Sequence, residues 1–112
     1  LEHKELLLQY YDGLIDSIFK LIPLANGERY KSREIIYSPE EAYRNYKSYI
    51  ENLIIEVCGN SIFFCSVNSI KLISILRGMA NEITLASLNK VKNLTRNCID
   101  VCKKIIIEIK EE

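Results

Sequence analysis

Histidine is nearly absent: His3 is the only one in the chain, and there is no tryptophan. Without a second imidazole, Ser–His–Asp and Cys–His mechanisms lack their base unless a partner lends one. Glycine is down to four and proline to two. No glycine-rich loop can cradle a phosphate, and no zinc-protease motif can be written. Neither sign of charge is in excess, since fifteen Lys/Arg face fifteen Asp/Glu. That balance leaves no global field to steer the chain to nucleic acid or to acidic membranes. No apolar run approaches the ~18 residues of a membrane span, and no leader-like series opens the chain. The first residue is Leu1 rather than Met, which suggests a domain excised from a longer protein.

The cysteines are Cys58, Cys65, Cys98 and Cys102. Long periodic segments with few turn residues do not resemble a disulfide-stapled secreted domain. The thiols read as half-buried small hydrophobes in a reducing, intracellular compartment. Cys98 and Cys102 lie one helical turn apart and face the same way, but an i,i+4 disulfide is geometrically poor. The C-x2-C knuckles of structural zinc are missing. No metal and no cofactor is therefore expected, and Asp12 and Asp16 read as a solvated stripe rather than a cation site.

What is present is apolar and periodic. The 112 residues are 48% hydrophobic and 27% charged, enough for one core in one domain spanning 1–112. Residues 1–60 hold seven basic against ten acidic side chains, a balance of −3; residues 61–112 hold eight against five, a balance of +3.

Four helices are predicted. The first spans Lys4 to Ile22, where Leu6, Tyr10, Leu14, Ile18 and Leu21 recur at helical spacing. Leu7, Tyr11, Ile15, Phe19 and Ile22 do so too, and Pro23 should stop the helix. A long connection with an Asn26-Gly27 turn follows. The second helix begins at Ser38-Pro39-Glu40-Glu41, a capping box with Pro at N1. It carries Tyr43, Tyr46, Ile50, Leu53, Ile54 and Val57 on one face, and Gly59 suits its end. A third helix is read from Ser66 to Asn81. A fourth starts at Thr84 and runs to about Lys110, with Leu88, Val91, Cys98, Cys102, Ile105 and Ile109 as its seam. The fold expected is all-α, a small four-helix bundle-like domain. The alternative is α+β, with short strands near 33–37, 62–67 and 104–109.

The functional expectation comes from apolar surplus. An apolar arc covering more than half of the first helix exceeds what one core ordinarily takes, and large exposed apolar patches mark interfaces. The reading is a non-catalytic protein–protein interaction module, a homodimer or a subunit of a larger assembly. Leu7, Tyr11 and Ile15 on the first helix, Arg29 and Tyr30 on the connection, and Tyr43 and Tyr46 on the second helix are the expected partner contacts. The alternative is a nucleic-acid-associated protein using Lys92, Arg96, Lys103 and Lys104 on the outer side of the last helix.

Overall fold

Pro23 has no N–H, and its ring pushes on the carbonyl four residues back, that of Phe19. In the computed structural model, which describes residues 3–28, 34–82 and 88–112, the first helix α1 spans Lys4–Phe19 and ends on that residue. The chain does not stop being helical at Ile22, as the sequence suggested. It breaks at Lys20 and resumes as a short helix α2, Leu21–Ala25, whose first turn takes Pro23 without losing a hydrogen bond. Gly27 then turns the chain with φ 71°. Its carbonyl accepts from the N–H groups of Ile36 (3.0 Å) and Tyr37 (3.3 Å). A Cβ at Gly27 would stand 3.1 Å from the Tyr37 carbonyl oxygen, so both the torsion and the close approach call for glycine.

Helix α3, Pro39–Asn60, starts where the capping box placed it. The Ser38 hydroxyl accepts from the Glu41 N–H at 3.3 Å. The return bond from the Glu41 side chain is not made, so half of the box is closed. Replacing Ser38 by Ala should cost about 1 kcal/mol, read as a lower melting temperature, because that N–H loses its acceptor. An unchanged melting temperature would show that water serves the helix end equally well.

Helix α4, Val67–Glu82, begins with a device the sequence reading passed over. The Ser66 hydroxyl accepts from the Ser69 N–H at 3.4 Å, and the Ser69 hydroxyl accepts from the Ser66 N–H at 3.1 Å. Serine thus stands in for the usual Glu at the third helical position. Helix α5, Leu88–Glu111, is the longest at 24 residues. Its Glu108 carboxylate lies over the start of α4, accepting from Ser66 Oγ (3.2 Å) and Asn68 Nδ2 (2.7 Å). A negative charge at a helix N-terminus is well placed against the helix dipole.

The fold is all-α: four long helices and one short, with no strand among the described residues. Of the three alternative strands, residues 62–66 are turn and link with Val67 already helical, and 104–109 lie inside α5. In the segment 33–37, Ile35 makes one isolated antiparallel bridge with Glu28, and residue 33 lies outside the described residues. The expected start of the fourth helix at Thr84 also lies outside them. No described helix is long and apolar enough to cross a membrane.

Helix α5 is the axis of the bundle. It packs against α1, α4 and α2, while α3 packs against α4 and α2. Its seam of Val91, Cys98, Cys102, Ile105 and Ile109 is buried as the spacing predicted, and Thr95, Ile99, Val101 and Ile106 are buried beside it. The backbones of α1 and α3 stand further apart than the other long neighbours. The gap between them is bridged by Tyr49, whose hydroxyl donates to the Ser17 carbonyl at 3.1 Å.

Candidate functional site

The position of α5 decides the fate of the apolar arc on α1. Leu7, Tyr11, Leu14 and Ile18 face inward and are buried, Ile15 is half-buried, and Leu6 and Phe19 are left in solvent. Leu7 and Tyr11 were expected to meet a partner. They are covered within the chain itself, because a long central helix takes up the width that a thin bundle would leave bare. Tyr46 is likewise buried in the core, while Tyr43 is half-buried at its margin. Arg29 and Tyr30 lie outside the described residues. On α5, Arg96, Lys103 and Lys104 are exposed and Lys92 is half-buried. At about 100° per residue, Lys92, Arg96 and Lys103 share one line and Lys104 falls about 100° from Lys103. Asp100 and the exposed Ile107 lie between them, so the basic face is interrupted by an acid and an apolar side chain.

The exposed apolar surface is elsewhere. Ile62 and Val67 flank the α3–α4 link and are 82% and 81% exposed. Phe63, Leu6 and Ile70 are exposed as well. The ring of His3 meets that of Phe63 edge-on with centroids 4.4 Å apart, which brings the start of α1 to this link. The Lys4 ammonium donates to the carbonyls of Lys110 (3.0 Å) and Glu112 (3.2 Å), which brings the end of α5 there too. One end of the bundle therefore gathers Leu6, Ile62, Phe63, Val67 and Ile70. Two shallow grooves lie on the bundle, one between α1 and the middle of α3 and the other between the end of α3 and α4. One, of about 490 Å3, is lined by Ser17, Tyr49, Asn52, Leu53, Ile55 and Glu56. The other, of about 340 Å3, is lined by Cys58, Ile70, Ile73, Ser74 and Arg77. The sequence reading missed this surface. Its signal is the run Ile62-Phe63-Phe64 followed by Val67, which the α+β alternative assigns to a strand.

The interior holds several polar atoms. The hydroxyls of Tyr10, Tyr11, Tyr46 and Thr95 are buried without a hydrogen-bond partner. Ser69 lies close enough to the Tyr11 hydroxyl to favour its ionised form, though no bond of ordinary geometry forms. Burial dominates nonetheless and, with the nearby Cys102 and Cys65, pushes Tyr11 up to about 12. Desolvation also raises Tyr10, with Glu56 adding to it, and Tyr46, with Cys98 adding. The thiols divide two and two rather than being uniformly half-buried. Cys58 and Cys65 are exposed, Cys98 and Cys102 are fully buried, and all four are free. Burial pushes the Cys98 thiol up to about 12, with Cys102 adding to it, and the Cys102 thiol up to about 12. Neither is a thiolate nucleophile at neutral pH. Cys98 Sγ lies 3.8 Å from Met79 Sδ. Among the described residues no three His, Cys, Asp or Glu side chains converge to hold a metal.

An orphaned hydroxyl should be better removed than kept. Tyr46→Phe is expected to leave stability unchanged or raise it by about 1 kcal/mol, since it deletes a desolvated group that binds nothing. Tyr49→Phe, which breaks the bond to Ser17, should instead cost about 1 kcal/mol. Paired urea melts check the contrast, and a Tyr46→Phe protein weaker than Tyr49→Phe would show that the Tyr46 hydroxyl has a partner.

Comparison with known proteins matches the chain to no family model, no curated protein and no solved structure.

Proposed function

We propose that this chain is a non-catalytic protein–protein interaction module, and that it docks through the bundle end carrying Leu6, Ile62, Phe63, Val67 and Ile70. The observation behind this reading is that Ile62 and Val67, more than four-fifths exposed, are the barest of the described large apolar side chains and sit at the same end as Leu6, Phe63 and Ile70. Phe19, Ile35, Ile55 and Ile107 are exposed singly or in pairs elsewhere. Covering a Leu or Ile side chain stabilises by roughly 1.5–3 kcal/mol. Leaving several bare at one place makes sense where a partner covers them. A second copy of the chain is the first partner to test, because a formal net charge of zero imposes no long-range repulsion between copies. Four unpaired thiols suit a reducing compartment.

Sedimentation at micromolar concentration tests the reading. A dimer is expected, and Ile62→Glu together with Val67→Glu should return it to monomer without changing the helical signal, since both positions are exposed. A strict monomer, with its solubility unaltered by the two substitutions, would sink self-association through this end. A salt-dependent mobility shift with RNA or DNA, lost in an Arg96→Ala, Lys103→Ala protein, would favour the basic side of α5 instead.

A further inference from the structure

The interior sulfur cluster stands apart from the docking surface. We propose that Cys98, Cys102 and Met79 form a buried binding site for one monovalent soft-metal ion, Cu(I), with two thiolates and one thioether as ligands. Cys98 and Cys102 are one turn apart on α5, both at 0% exposure, and Met79 comes from α4, also at 0%. Met79 on α4 thus faces Cys98 on α5, and Cys102 follows one turn along the same buried side of α5. At the metal–sulfur distance of about 2.3 Å typical of a thiolate on a first-row ion, three sulfurs in a trigonal ring stand about 4 Å apart. The Cys98 Sγ to Met79 Sδ separation is 3.8 Å. The pair needs little movement to admit an ion between them.

Ligand softness selects the metal. A thioether is a poor ligand for Zn2+, which also asks for a fourth ligand, and among the described residues no further His, Cys, Asp or Glu joins the two thiols. Thiolate and thioether together suit Cu(I), which accepts two or three ligands. Binding converts Cu(I) and two thiols into a bis-thiolate complex and releases two protons, leaving one net negative charge in the core. That charge needs donors around it. The hydroxyls of Tyr10, Tyr11 and Tyr46 are buried without a hydrogen-bond partner in the metal-free fold, and Cys98 adds to the upward shift of Tyr46 as Cys102 does to those of Tyr10 and Tyr11. Tyr11 and Tyr46 are nearly or wholly buried, so their O–H groups are withdrawn from bulk solvent. Outer donors that hydrogen-bond ligating sulfur would account for hydroxyls that otherwise weaken the fold. Cys58 and Cys65 are exposed and take no part.

The test removes the two exposed thiols first. A Cys58→Ser, Cys65→Ser chain is offered Cu(I) from its bathocuproine disulfonate complex under anaerobic conditions, both after folding and during refolding. One Cu(I) per chain is expected, with an all-sulfur shell by X-ray absorption. In that background Met79→Leu, which keeps volume and fold, should weaken binding at least tenfold, and Tyr46→Phe by about tenfold. Cys98→Ala should abolish binding. Zn2+ offered in the same way should not bind stoichiometrically. A folded background protein that takes up no Cu(I) by either route overturns the proposal. So does unchanged affinity in Met79→Leu, whether or not Cys98→Ala folds.

Discussion

Between pH 9 and pH 12 the metal-free chain is expected to lose its fold cooperatively. In the unfolded chain the thiols of Cys98 and Cys102 ionise near their ordinary value of 9.0 and the Tyr11 phenol near 10.0. In the fold each of these three keeps its proton until about 12. Across that window the unfolded state holds fewer protons than the folded one. Stability therefore falls as pH rises, and it is intact below pH 9, where these groups are protonated in both states. Tyr10 and Tyr46 are raised as well and act in the same direction. Each unit of separation is worth about 1.4 kcal/mol, so several such groups rival the roughly 5–15 kcal/mol that holds a small domain together. Thermal melts followed by circular dichroism at stepped pH would show it. Phenolate absorbance from the buried tyrosines should appear together with unfolding. A melting temperature unchanged up to pH 12 would mean that the interior admits hydroxide or water without opening.

The second large effect is at Ile105. Ile105→Ala should destabilise the chain by about 3–4 kcal/mol, because it opens a cavity on the buried side of the helix that α1, α2 and α4 all pack against. In a domain of this size that is a fall of about 15 °C in melting temperature. The neighbours make the experiment decisive. Ile105 is fully buried, Ile106 is 8% exposed and Ile107 is 55% exposed. Ile107→Ala should thus cost under about 0.5 kcal/mol. A strand through the same residues would put Ile105 and Ile107 on one face and Ile106 on the other. Large losses at both 105 and 107, with little at 106, would contradict the helix.

These three isoleucines also show what could be read in advance. Their β-branched chemistry favours a strand, but the seam from Val91 to Ile109 repeats at helical spacing over five turns, and that longer pattern prevailed. The start of α3 was readable from Ser38 and Pro39 because capping is local chemistry. The break at Lys20 was also encoded, by Pro23, but the clash acts four residues upstream of the proline itself. The inward face of α1 was not readable. Leu6 and Leu7 each belong to an apolar row, and periodicity says which residues share a side without saying which side turns inward. Only the tertiary position of α5 settles that. The exposed end escaped for a similar reason, since an apolar run such as Ile62-Phe63-Phe64 carries no mark of whether it is covered. The sulfur cluster was half visible. The spacing of Cys98 and Cys102 put them on one face, whereas Met79 joins them from another helix, across nineteen positions of chain.

The contact between Lys4 and the last carbonyls of α5 has a mechanical consequence. Residues 4 and 112 lie side by side at the same end of the bundle, with α1 and α5 running antiparallel away from them. Tension applied between these two points does not shear the helices along their lengths. It loads the α1–α5 seam at its tip, and the packing gives way turn by turn like a zip. A molecule held in this way yields to a weak, sustained pull. The same molecule gripped at Lys4 and at Ala80, toward the far end of α4, would have to break several helix contacts at once.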